Sequence, residues 1–296
     1  MKRDKCEFTQ SKDGFETTKH EIKCLSEFID CVELKWSEWP KPWNPQEQSP
    51  WFRGLGRQDY PLIPSIFREE SNGWKYKSRE AVNMQAEFAR RSKPFIQRTF
   101  PFNYGEYLHL MQHYGCLTRL LDWTEGSLIA LYFAIRVPKE AKTPCVWMLN
   151  PSWLNHVNDV TKANKKTGEG KSLVLYSDYD AVRNYVADRI IQKHFFDEHK
   201  LAKYPVAIFP PHIDGRIVAQ KSVFTLHGRK KNGFHILCKR YPKAQICQFR
   251  IAADPTTIRK MLLQLNKLGI TETTIFPDLE GLAREIQAEY GIHKQA

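Results

Sequence analysis

The stretch LTRLLDWTEGSLIALYFAI, residues 117–135, changes character at its middle. Its first half is short and apolar, broken by one arginine and one aspartate, which suits a strand. Its second half is a longer run rich in Leu, Ala and Ile behind Thr124, a residue able to cap a helix. A strand that turns into a buried helix is expected here. Upstream, IKCLSEFIDCVELKW sets Ile22, Leu25, Phe28, Ile29 and Val32 on one helical face, with Ser26 and Glu27 on the other. SREAVNMQAEFARRSKPF reads as a helix that Ser78 caps and Pro94 breaks, and NYGEYLHLMQHYG as a helix stopped by Gly115. Downstream, PCVWMLN, YPVAIFP, GRIVAQKSVFTLHG and ICQFRIA read as strands bounded by Pro and Gly. The last part of the chain, from DPTTIRK onward, reads as a helix, a short strand and a final helix capped near Asp278. Strands mixed irregularly with helices, with no internal repeat, predict an α+β fold: a mixed sheet flanked by helices in a single domain over residues 21–296. Residues 1–20 are polar and aperiodic, a tail or an edge element.

Composition narrows the setting. Lys and Arg number 45 against 33 Asp and Glu, a net charge of +12, which favours polyanions or anionic ligands as partners. The seven cysteines include no C-x-x-C pair, so neither a disulfide framework nor a zinc ribbon is indicated, and reduced thiols are expected. The N-terminus lacks an apolar core segment, and no run approaches the roughly 18 apolar residues of a membrane span. A soluble cytoplasmic protein with no membrane partner is expected. WPKPWNPQEQSP, residues 39–50, carries four prolines and reads as an extended connection, and VNDVTKANKKTGEGKS as a polar loop flanking a site.

Three clusters carry chemistry. WFRGLGRQDYPLIPSIFRE, residues 51–69, places Arg53 between an aromatic and a glycine and ends on Ser65 and Arg68. A planar guanidinium at a strand end suits a phosphate or another anion, and Gly54 would let a ligand approach the backbone. MQHYGCLTRLLDW packs Gln112, His113, Tyr114, Arg119 and Asp122 beside apolar runs, where charges need partners or ligands. The plainer reading is a structural Arg–Asp pair, either Arg119–Asp122 or Arg53–Asp122. His109, His113 and Cys116 have spacings that could ligate a metal, but no fourth ligand stands at a recognisable distance, so no metal is expected. In the third cluster, a strand over RIVAQKSVF would put Arg216, Val218, Gln220 and Ser222 on one face, resembling the lining of a polar cleft. GRKKNG after it reads as a solvated hairpin tip. No Walker loop, G-x-G-x-x-G, H-E-x-x-H or G-x-S-x-G is present, which removes the usual support for those chemistries.

Taken in order, WFRGLGRQDYPLIPSIFRE, MQHYGCLTRLLDWTEGSLIALYFA, GRIVAQKSVFTLHG and LGITETTIFPDLEGLAREI resemble the FRG domain family, over roughly residues 22–292, with Phe52, Arg53 and Gly54 as the name-giving triplet. Cys116-Leu117 and Lys221-Ser222 depart from the family pattern and bear on local turn geometry. The family occurs in bacteria and phages, often near mobile or defence genes, and implies little biochemistry by itself. A more distant resemblance, to ADP-ribosyltransferases of the Arg-Ser-Glu class, implies a split mixed sheet and NAD as substrate. It places Phe52, Arg53 and Gly54 at the first strand, Thr124 near the second element and Gln220 at the third, where the class has a catalytic glutamate. Gln220 is neutral, so Asp122 is the candidate carboxylate and Gln220 an orienting partner. The expected catalytic set is Arg53, Asp122 and Gln220. Phe52, Gly54, Ser65, Arg68, Gln112, His113, Tyr114, Arg119, Thr124 and Arg216 are expected to bind the nucleotide.

The function expected is an ADP-ribosyltransferase or NAD glycohydrolase of toxin or anti-phage type, with a nucleic acid or protein as acceptor. Two other classes stay open. One is a non-catalytic nucleic-acid or nucleotide-binding module drawing on the +12 charge. The other is a ribonuclease using His113 or His227 as general acid or base.

Overall fold

A computed structural model of the protein describes residues 6–40, 49–68, 78–96, 104–137, 142–158, 175–176, 202–211 and 214–291. The proline-rich connection and the polar loop after Val157 lie for the most part outside the described residues. In chain order the strands are β1 (Phe8–Gln10), β2 (Glu16–Thr18), β3 (Trp51–Leu55), β4 (Leu120–Thr124), β5 (Cys145–Leu149), β6 (Leu175–Tyr176), β7 (Val206–Phe209), β8 (Ser222–Leu226) and β9 (Ile246–Arg250). The helices are α1 (Leu25–Glu38), α2 (Ser78–Arg91), α3 (Tyr104–His113), α4 (Ser127–Ile135), α5 (Pro151–Val157), α6 (Gly215–Ala219), α7 (Gly233–Arg240), α8 (Pro255–Lys267), α9 (Glu272–Ile275) and α10 (Leu279–Glu289).

Among the described residues the nine strands join one sheet in the order β1-β2-β9-β5-β3-β4-β8-β7-β6. Pairing is antiparallel except for β2 with β9 and β6 with β7, so the sheet is mixed and the fold is α+β. The inner strand β5, with sequence CVWML, is buried at every position, as a strand covered on both faces must be. On one face Phe28 of α1, Ile129 to Ile135 of α4 and Met261 and Leu265 of α8 pack on Phe52, Val146, Met148 and Phe249. On the other, Trp153 and Leu154 of α5 and Phe234 and Leu237 of α7 cover Trp51, Leu121, Trp123, Trp147 and Leu149.

The strand-to-helix turn forms where the apolar pattern places it. Thr124 makes it, although not as the cap: Gly126 holds that position, and the Thr124 hydroxyl accepts from Gly126 N–H at 3.0 Å while donating to the Gln220 carbonyl at 2.7 Å. Gly115, at φ +75°, ends α3 as expected, and the Asp278 carboxylate caps α10 by accepting from Gly281 N–H at 2.8 Å.

Four expectations need correction. RIVAQKSVF is not one strand: Gly215–Ala219 is helical because the Asp214 carboxylate accepts from the N–H groups of Arg216 and Ile217, and only Ser222 onward is extended. GRKKNG is not a hairpin tip, since it leads from β8 into α7. The short strand expected before the last helix is the helix α9, nucleated by a capping box between Thr271 and Thr274. Of the two readings of the first twenty residues the edge element holds, since β1 and β2 form a hairpin that lays β2 beside β9. Not every thiol is reduced either: Cys6 and Cys31 form a disulfide that ties this edge to α1, with Cys24, Cys116, Cys145, Cys238 and Cys247 free.

Candidate active-site cleft between β3 and β4

The site begins with a break in the ladder. β3 pairs with β5 through five residues, and β4 pairs with β8 through five, yet β3 and β4 share only Phe52 with Thr124. Beyond that pair the strands part. The Arg53 side chain spans the opening: its Nη1 donates to the Asp122 carbonyl at 2.5 Å and lies 3.4 Å from Asp122 Oδ2. A guanidinium thus occupies a carbonyl that a neighbouring strand's N–H would ordinarily take. The Arg53 side chain is 16% exposed and that of Asp122 51%, so the cation sits inside the gap and the carboxylate at its mouth. Burial lowers the Arg53 pKa, Asp122 opposes this, and the charge of Arg68 lowers it further. Arginine titrates so high that it stays a cation throughout the physiological range.

The loop carrying Arg68 is stitched to Thr118, just before β4. Thr118 N–H donates to Ser65 Oγ at 3.4 Å and Ile66 N–H to the Thr118 carbonyl at 3.4 Å, while Arg68 Nε donates to the Ile63 carbonyl at 3.0 Å. Ser65 therefore anchors the loop, and Arg68 stays exposed beside Arg53. From α3, Gln112 Nε2 donates to both Asp122 oxygens, at 3.0 and 3.2 Å. Arg53, Asp122, Gln112, Ser65 and Arg68 are thus brought together.

The remaining expected residues do other work. Gln220 does not reach the carboxylate: it caps the C-terminus of α6, and its amide donates to the Ile275 carbonyl at 3.2 Å. It drops out of the catalytic set because its segment is helical. Arg216 points the same way, donating to Asp278 Oδ2 at 2.7 Å with its guanidinium 5.7 Å from the Phe276 ring centre. Phe52 belongs to the core. Gly54 faces α4, not a ligand: a Cβ there would lie 1.8 Å from the Ala130 carbonyl oxygen. Thr124 is committed to the turn. Arg119 is buried, and its carbonyl accepts from His227 N–H at 2.9 Å. His113 places Nδ1 2.9 Å from Asp214 Oδ2, whereas His109 turns its ring against Phe224, so the two histidines serve different neighbours. Among the described residues no group of three or more His, Cys, Asp or Glu could hold a metal ion. Tyr114 is exposed and lines a separate, mainly apolar cavity of about 700 Å³ with Met84, Phe88 and Leu110.

One residue of the region escaped sequence reasoning, and His227, expected as a general acid or base, is unsuited to that role. Thr118 is buried, and its hydroxyl donates to Gln112 Oε1. Its signal was only the T-R-L-L-D-W string. His227 is buried with its pKa pushed down to about 3, chiefly by desolvation and then by the charge of Arg53. It is therefore a neutral ring at any ordinary pH and lacks the pKa near the working pH that a general acid or base needs.

The family model of the FRG domain matches residues 48–143. The chain carries an FRG domain. The match covers about a third of the chain and contains β3, Ser65, Arg68, Gln112, β4 and α4, the elements that build the cleft. Phe52-Arg53-Gly54 thereby gains three separate physical roles: core, cleft cation and helix contact. The FRG domain's two strands β3 and β4 are completed into a sheet by β5, β8 and β9 from beyond the matched residues. No curated protein and no solved structure matches the chain. Among the described residues no helix is long and apolar enough to cross a membrane.

Proposed function

We propose that the cleft binds NAD and cleaves its nicotinamide glycosidic bond, so that the protein is an NAD glycohydrolase or ADP-ribosyltransferase of toxin or anti-phage type, working in the cytoplasm. The observation that carries this reading is the placement of the Arg53 guanidinium where β3 and β4 part, beside Arg68 and the half-exposed Asp122 carboxylate. Among the described residues only Nη1 of Arg53 is engaged, which leaves the rest of its planar fork for two oxygens of a diphosphate. Arg68 adds a second positive charge on the same side. Asp122 is the carboxylate that would stabilise the oxocarbenium-like charge developing as nicotinamide leaves. Gln220 has no part in this reading. The net charge of +12 favours an anionic ADP-ribose acceptor, a nucleic acid or an acidic protein.

The test is incubation of wild type, Arg53→Ala and Asp122→Asn with NAD, with and without cell lysate, following nicotinamide release by mass spectrometry. Release by wild type and at least a hundredfold loss in Asp122→Asn, on the scale of a lost transition-state electrostatic partner, is the expected result. A folded wild type that releases none, or an Asp122→Asn protein as active as wild type, would overturn the reading.

A further inference from the structure

The Gln112 amide stands between Asp122 and Thr118, and the chemistry of its neighbours leaves it one orientation. Thr118 Oγ1 accepts from Leu120 N–H at 3.1 Å, a buried bond that directs the hydroxyl oxygen toward the backbone at the start of β4. The hydroxyl proton then goes to an acceptor, which is Gln112 Oε1. With the carbonyl end of the amide held there, the NH₂ end faces Asp122 and spans both carboxylate oxygens. An ionised carboxylate accepts and never donates, so the two ends of the amide agree. Thr118 itself is 1% exposed and has no route to the cleft.

We infer that Thr118 is a positioning residue: through the Gln112 amide it fixes the plane of the Asp122 carboxylate at the mouth of the β3–β4 gap. The inference concerns orientation, and it bears on catalysis only through the proposal that Asp122 is the working carboxylate. The arrangement has a clear logic. Asp122 sits on a strand flanked by apolar neighbours, its contact with Arg53 is a long one at 3.4 Å, and half of its side chain is exposed. Without the amide the carboxylate could rotate freely into solvent. With it, both oxygens are held from the α3 side while half of the side chain stays exposed.

The experiment uses the full chain labelled with ¹⁵N-glutamine. The Gln112 side-chain amide is assigned by its absence in Gln112→Glu. In wild type its NH₂ protons should exchange with water more slowly than those of exposed glutamines, and Thr118→Ser, which keeps the hydroxyl, should preserve both shift and protection. Thr118→Val, nearly the same shape without the hydroxyl, should lose them. Nicotinamide release gives the second readout. A drop of about five- to tenfold in kcat with KM little changed is expected in Thr118→Val, as for one lost hydrogen bond, with recovery in Thr118→Ser. A Gln112 amide that exchanges in wild type as fast as exposed ones would overturn the inference even if Thr118→Val does not fold. Equal amide behaviour in the Val and Ser proteins would overturn it as well. A protected, Thr118-dependent amide in a protein that releases no nicotinamide would support the orientation and reject the enzymatic reading, so the two fail separately.

Discussion

Replacing Gly54 by alanine separates two roles that one glycine could play. The added Cβ would lie 1.8 Å from the Ala130 carbonyl oxygen and 2.7 Å from the Ala134 nitrogen, both backbone atoms of α4 that no rotamer change can move. Bringing the shorter contact out to 3.0 Å requires α4 to withdraw from β3 by roughly 1.2 Å. That retreat would open the contacts of Ala130, Leu131 and Ala134, all fully buried, with Phe52 and Val146. Overpacking of this kind costs about 3 kcal/mol, toward the upper end of what insertions into packed cores show. Urea denaturation followed by tryptophan fluorescence would read it as a lower midpoint at similar slope. A Gly54→Ala protein within about 1 kcal/mol of wild type that had nevertheless lost nucleotide binding would refute the packing argument and restore Gly54 to a ligand-facing role.

Other outcomes follow from single features. Lys221 sits at φ +45° between α6 and β8, so Lys221→Gly should stabilise the protein by about 0.5–1 kcal/mol; an unchanged or lowered denaturation midpoint would contradict the strain. His109 and His227 are buried and held neutral, with pKa values of about 3, against an unfolded value near 6.5. Because the unfolded chain binds the protons more readily, stability should be full above about pH 6.5. It should fall by about 1.4 kcal/mol per pH unit per histidine as the pH drops toward 3. Denaturation curves at pH 7 and 5 should show a shallower dependence in His109→Phe, and an equal dependence would count against this. Breaking the Cys6–Cys31 bridge with Cys31→Ser should cost about 3 kcal/mol, from the freedom regained by the unfolded loop. Intact mass under non-reducing conditions, showing no loss of two hydrogen atoms, would remove the basis for that figure.

What could be read from the sequence was what periodicity alone decides. β5, β7 and β9 are short apolar runs between Pro or Gly, and the strand-to-helix step at residues 120–135 is a plain change of pattern. GRIVAQKSVF misled because it alternates well enough for a strand, while the signal that governs its first half is one residue earlier. Asp214 caps the N–H groups of Arg216 and Ile217, and that local hydrogen bonding outweighs alternation in so short a segment. The error carried Gln220 into the site with it. For Arg53 and Asp122 the sequence held the residue types but not the reason they meet, since the gap arises from pairing between strands sixty-odd residues apart. Gly54 shows the same limit: a glycine states that something comes close, and only the fold says that it is a helix.

The measurement that bears most directly on the central claim is calorimetric titration of ADP-ribose into wild type and Arg53→Ala, with thermal melts to show that both are folded. The account predicts saturable binding to wild type that weakens at least tenfold in Arg53→Ala, as for a lost charge-assisted contact to phosphate. Equal binding by the two folded proteins, or none by wild type, would contradict the claim that the β3–β4 gap is built around Arg53 to receive a diphosphate.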